Sequence, residues 1–184
     1  MITALIKRIA RQLDAGRIPY MIIGGQAVLL YGRPRLTRDI DITLGLDTDQ
    51  FSRVEEVCAN LDLKPLAENP HDFATKTKVL PAEAQDSKVR VDFIFSFTPY
   101  ETQAIERANE VLLEDCPVKF ASCEDVIIHK LVAGRPVDQE DVRHLLAKNR
   151  DAIDPSYLKH WLLEFSHLPG HEQILSDFEV LSDQ

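Results

Sequence analysis

The apolar positions of the chain change period along its length, and that period assigns most of its elements. Leu5, Ile6, Ile9 and Leu13 recur at helical spacing and predict a helix over residues 2–15, with Gly16 as its stop. Tyr20–Ile23 is a short apolar strand that enters Gly24-Gly25, and Gln26–Tyr31 follows as a short helix. Arg38–Leu44 alternates, sending Asp39 and Asp41 to one face and Ile40 and Ile42 to the other. Asp47 or Thr48 caps a helix running to about Asn60, with Phe51, Val54, Val57 and Cys58 on its buried side. Leu63–Ala67 and Phe73–Leu80 read as strands, separated by turn composition over residues 68–72. Lys88–Phe95 alternates most strongly in this part of the chain: Val89, Val91, Phe93 and Phe95 point one way, and Arg90, Asp92 and Ile94 the other. Pro99 opens a helix to about Asn109, and Glu110–Leu113 and Val118–Phe120 are short strands.

From Ser122 the pattern turns helical. Ser122-Cys-Glu-Asp125 resembles a capping box ahead of Val126–Val132, and Gly134-Arg-Pro136 breaks that helix. Further helices are expected over Val137–Lys148, Pro155–Phe165 and Glu172–Leu181. The chain therefore reads as α/β (α+β), a mixed sheet flanked by helices over residues 1–121 and a C-terminal helical region over 122–184 packed on it.

Composition narrows the class. A chain of 184 residues can bury a substantial core, and its 45% hydrophobic and 28% charged fractions are those of a soluble globular protein. No apolar run approaches the roughly 20 residues that span a membrane, and the N-terminus lacks the order of a signal peptide, so a cytoplasmic location without membrane partners is expected. The cysteines, Cys58, Cys116 and Cys123, form no Cys-x-x-Cys pair and are expected to be free and mostly buried. A net charge of −9 argues against extended non-specific nucleic-acid binding while leaving room for a local basic patch.

Chemistry concentrates between Met21 and Ile42. A strand running into a glycine turn and then a helix offers bare backbone N–H groups where a phosphate can sit. Asp39 and Asp41 on one strand face repel unless a cation lies between them, although a solvated acidic face is the plainer alternative. Asp92 lies within Val-Arg-Val-Asp-Phe-Ile-Phe, where an unpaired carboxylate is costly to bury. If the two strands are neighbours, three carboxylates converge and a pair of divalent ions roughly 3.5–4 Å apart would neutralise them. Hard oxygen donors favour magnesium or manganese over zinc. Thr37 and Arg38 adjoin the acids within reach of a triphosphate; Arg33 and Arg35 suit either an anionic acceptor or plain loop solvation.

Ile23-Gly24-Gly25, Asp39-Ile40-Asp41 and Asp92, in that order and with thirteen residues between the glycines and the first acid, resemble the signature of the polymerase-β-like nucleotidyltransferase superfamily. Gly-Gly-Gln26-Ala followed by Thr37-Arg-Asp-Ile-Asp is similar to the AbiEii-type and related minimal nucleotidyltransferases of bacteria, many of them toxins with a partner antitoxin. The segment Glu124–Val142 matches that family's helical half, with Lys130 and either Asp138 or Asp141 in the corresponding places; Val137 departs from the Lys or Arg usual there.

The resemblance implies a nucleotidyltransferase-like fold and transfer of a nucleoside monophosphate from a nucleoside triphosphate to a hydroxyl. Two magnesium or manganese ions would be held by Asp39, Asp41 and Asp92. Gly24, Gly25, Gln26, Thr37, Arg38, Lys130 and Asp138 or Asp141 would attend the nucleotide. Asp39, Asp41, Asp92 and Lys130 would be the catalytic set. An RNA end such as that of a tRNA, a protein side chain or a small molecule would serve as acceptor, and an antitoxin as partner. The alternative is a catalytically inactive nucleotide-binding or partner-binding module on the same fold.

Overall fold

The computed structural model describes residues 1–33 and 36–182. Its elements divide into two compact units, residues 1–26 with 36–121, and residues 27–35 with 122–184.

The first unit is built on a seven-stranded mixed sheet of order β3-β4-β5-β2-β1-β7-β6. The strands are β1 (Tyr20–Ile23), β2 (Asp39–Leu44), β3 (Leu63–Pro65), β4 (Val79–Ala84), β5 (Arg90–Phe95), β6 (Asn109–Leu113) and β7 (Cys116–Phe120). β2 runs antiparallel to β1 and parallel to β5, so the strands carrying the acids are central neighbours. Ile40, Ile42 and Leu44 on β2 and Val91, Phe93 and Phe95 on β5 are fully buried on one face. Helix α3 (Phe51–Asn60) covers that face, its Phe51 ring stacked 6.2 Å from Phe95. Helix α1 (Ile2–Ala15) buries Leu5, Ile6, Ile9, Ala10 and Leu13, as its spacing predicts, each large side chain contributing about 2 kcal/mol. The opposite face of β2 and β5 carries Asp39, Asp41, Arg90 and Asp92 and stays partly open.

Two expectations change. Residues 73–77 do not form a strand: α4 (Pro70–Thr77) occupies them, and of the expected strand over 73–80 only Val79 and Leu80 belong to one, at the start of β4. Pro70 at the first helical position, Asp72 in the first turn and Lys76 in the last favour the helix, and Lys78 ends it in the left-handed conformation at φ 60°. Helix α2 (Gly24–Tyr31) begins at the glycines themselves rather than after them. Helix α5 (Pro99–Glu106) carries a full capping box between Thr98 and Glu101.

The second unit is helical: α6 (Cys123–Ala133), α7 (Pro136–Asn149), α8 (Pro155–Ser166) and α9 (Ile174–Ser182), together with the end of α2. Ser122 caps α6 by accepting from the Asp125 N–H, and Gly134 closes it at φ 64°. Asp154 caps α8, while Glu124 accepts from the Asp154 N–H at 2.9 Å and so ties α6 to that start. The end of α7 holds the end of α2: Lys148 donates to the Gly32 carbonyl at 3.1 Å and Asn149 to that of Tyr31 at 3.0 Å. All three cysteines are free and buried, as expected. No described helix is long and apolar enough to cross a membrane.

Candidate active site

β1 is buried along its whole length and delivers the chain to Gly24, whose φ of +62° suits glycine. Space excludes a side chain as firmly as conformation does. A Cβ on Gly24 would lie 2.0 Å from Asp41 Oδ2, and one on Gly25 would lie 2.3 Å from Thr37 Oγ1. The two glycines therefore let bare backbone at the start of α2 press against Asp41 and Thr37. Gln26 is 8% exposed and donates from Nε2 to the Asp39 carbonyl at 3.3 Å, fixing the helix start to the beginning of β2.

Register does the rest. Asp41 stands opposite Asp92 across the parallel β2–β5 pair, and Asp39 stands opposite Arg90. Paired residues share a face, so all four side chains line one surface, with strands roughly 4.8 Å apart. Arg90 Nε donates to both oxygens of Asp92, at 2.9 and 3.1 Å. That hydrogen bond raises the guanidinium above its already high ordinary pKa; burial opposes it, and the charges of Asp92, Asp39 and Asp41 add to it.

Three carboxylates with hard oxygen donors suit magnesium or manganese, and the cradle at Gly24 leaves the Asp41 carboxylate reachable from the helix start. Among the described residues, however, no three His, Cys, Asp or Glu side chains stand close enough to hold an ion. The acids share a face and a register without meeting at one point, and Arg90 takes up both oxygens of Asp92. Sequence reasoning placed Arg90 on the face of Asp92 but gave it no role; the Arg-x-Asp alternation was the available signal.

Beside Arg90 lies a concavity of about 410 Å³ bounded by the β3–α4 loop, α4 and the sheet. Leu66 and Phe73, exposed to 50% and 41%, form its apolar wall with Pro81, and Lys76, Asn69 and Asp72 supply polar groups. Thr37 is half-buried, while Arg33 and Arg38 are exposed; Arg35 lies outside the described residues.

In the helical unit, Lys130 is not a surface residue. It is 5% exposed, with Nζ 2.7 Å from Asp138 Oδ1 and 3.0 Å from Asp141 Oδ2. Asp138 is fully buried and also accepts from Arg135 Nε at 2.6 Å. Burial pushes the Asp138 carboxyl upward, but the hydrogen bonds from Arg135 and Lys130 outweigh it and hold the group below its ordinary range. Both candidate aspartates thus meet the same lysine. A second buried acid, Asp125, accepts from Tyr157 at 2.8 Å and from Ser122 at 2.7 Å, and sequence reasoning gave it no part beyond the cap.

A model of the family described as nucleotidyl transferase AbiEii toxin, type IV toxin–antitoxin system, matches residues 10–160. No curated protein matches the sequence. Among solved structures, the chain is similar to an antigenic nucleotidyltransferase-like protein from Paracoccidioides brasiliensis, at TM-score 0.58 and 16% identity over 95% of this chain and 92% of that one. It is also similar to the antibiotic-resistance factor ANT(2″)-Ia in its solution structure, at TM-score 0.56 and 19% identity over 98% and 89% of the two chains. A crystal structure of ANT(2″)-Ia in complex with adenylyl-2″-tobramycin gives TM-score 0.55 and 18% identity over 98% and 97%. At such identities the likeness is one of fold, and that fold is the nucleotidyltransferase one.

Proposed function

The chain belongs to the AbiEii nucleotidyl transferase family, and from that premise we propose that it moves a nucleoside monophosphate from a nucleoside triphosphate to a hydroxyl acceptor, releasing pyrophosphate. The supporting observation is the register that sets Asp41 beside Asp92, with the backbone of Gly24 pressed against Asp41.

Asp39, Asp41 and Asp92 would hold magnesium or manganese, which when bound would neutralise the transferring phosphate and lower the pKa of the attacking hydroxyl. The N–H groups of Gly24 and Gly25, at the positive end of α2, would receive the triphosphate. Thr37, against Gly25, and Arg38, beside Asp39, would flank it. Gln26 would position Asp39 through its carbonyl. The concavity walled by Leu66, Phe73 and Arg90 would admit the acceptor, since Arg90 links it to Asp92. Lys130, between Asp138 and Asp141, would position α6 on α7 by charge pairing.

An RNA end such as a tRNA terminus, a protein side chain and a small molecule each offer a suitable hydroxyl. The adenylyl-tobramycin complex of ANT(2″)-Ia supports the small molecule. The family description supports a toxin acting beside an antitoxin. The Arg90–Asp92 pair favours a second reading, binding without turnover, because the guanidinium satisfies Asp92 in place of a metal ion. Calorimetry with each triphosphate and manganese, paired with an assay for released pyrophosphate, separates the two. Binding with pyrophosphate release in the presence of cell extract supports transfer; binding without release supports the second reading.

A further inference from the structure

We propose that the helical unit carries a separate ligand site, a cavity that takes a small molecule with an apolar body and one anionic head group. The cavity has a volume of about 640 Å³ and opens to solvent between α7, α8 and α9. Its floor is apolar, formed by Leu146, Ile153, Phe178 and Leu181. Its rim carries three cations in a chain of net charge −9, Arg143, Arg150 and Lys159, with His144 beside them. The carboxylate on the wall, Glu140, is engaged by Arg143 at 3.3 Å, and Arg150 donates to the Ser182 carbonyl at 3.4 Å. Lys159 is exposed and makes no hydrogen bond or ion pair among the described residues.

Size and charge together select the occupant. Volumes of about 300–1,000 Å³ suit small molecules, whereas a stable protein partner needs on the order of 1,200 Å² of buried surface. An apolar body leaves water on the floor, and an anionic head meets charge-assisted donors at the rim. The site is distinct from the Lys130 pairing. Glu140, Arg143, His144 and Ala147 share the cavity face of α7 by their i,i+3 and i,i+4 spacing, while Asp138 and Asp141 turn to Lys130. Phe178, Leu181 and Ser182 on α9 lie beyond residues 10–160, the span that matches the family. An occupant would hold α9 on α7 and α8 and stabilise this unit.

The test uses the full chain, with decanoate and its neutral counterpart decanol as probes, followed by calorimetry and by amide shifts in a nitrogen-15-labelled sample. Decanoate is expected to saturate one site with shifts confined to α7–α9, and decanol to bind at least about tenfold more weakly. Lys159→Glu, at an exposed position, is expected to weaken decanoate about tenfold and leave decanol unchanged. Ala147→Trp, which fills the cavity, is expected to abolish both. Absence of saturable decanoate binding, equal affinity for the two probes, shifts outside α7–α9, or decanoate binding indifferent to either variant would overturn the proposal.

Discussion

Arg90 holds Asp92 by both carboxylate oxygens, at 2.9 and 3.1 Å, from a position two residues earlier on the same strand. Asp39 and Asp41 stand on the neighbouring strand, so this guanidinium shares a face with three acids and feels the charge of each. Arg90 therefore competes with any cation that Asp92 would bind. Replacing it by Gln is expected to tighten manganese binding by about three- to tenfold, since a like-signed neighbour is removed. Calorimetric titration with manganese reads the change. Unchanged or weaker binding contradicts the competition.

Gly24 leaves no room for a methyl group. Gly24→Ala is expected to cost about 1–3 kcal/mol from the positive φ alone, and to displace the Asp41 carboxylate as well. Urea unfolding reads the first effect and manganese affinity the second. A variant with wild-type stability and wild-type manganese binding would contradict the close approach.

Lys130 is the shared cation of two acids in the helical unit. Lys130→Met leaves Asp138 fully buried with only Arg135, and is expected to destabilise the protein by about 3–5 kcal/mol. The double variant Lys130→Met, Asp138→Leu removes the stranded charge and is expected to regain part of that loss. Urea unfolding of both checks it; a double variant less stable than the single one contradicts the pairing.

His129 sets an acid limit. Its Nε2 is sealed from solvent, and burial pushes the imidazole down from 6.5 to about 4. Between those values the unfolded chain binds a proton that the folded chain refuses. Stability must therefore fall as pH drops from 6.5 towards 4, by up to roughly 3 kcal/mol. Asp138, held below its ordinary range, adds its loss only at still lower pH. Unfolding at pH 7, 5.5 and 4.5 should show this slope, flattened in His129→Gln; an equal slope in both contradicts the assignment.

Much of the candidate face was legible in the sequence because a strand's period of two fixes which side chains share a side. Asp39, Asp41, Arg90 and Asp92 all lie where alternation places them. The pairing of β2 with β5 was not legible, since it joins strands about fifty residues apart through a β3–α4–β4 excursion. Within that excursion α4 was misread, because Phe73, Thr75 and Thr77 alternate as a strand would, while the stronger local signals were Pro70 at the helix start and the Lys78 stop. Pro81 likewise disguised β4. Its carbonyl accepts from Leu66 on the β3 side, and the missing N–H would point the same way, past the end of the β3 pairing at Ala82, so the ladder to β5 loses nothing. The fates of Lys130, Asp138 and Asp141 depend on how α6 meets α7, which helix periodicity alone does not set.

The most direct measurement is transfer of label from triphosphates labelled at the α-phosphate, incubated with magnesium and cell extract, using wild type, Asp39→Asn and Asp92→Asn. The proposed transfer predicts incorporation into an acceptor by wild type and a loss of at least about a hundredfold in each variant, the effect expected where the carboxylate holds a metal ion. Incorporation that survives both substitutions would contradict it.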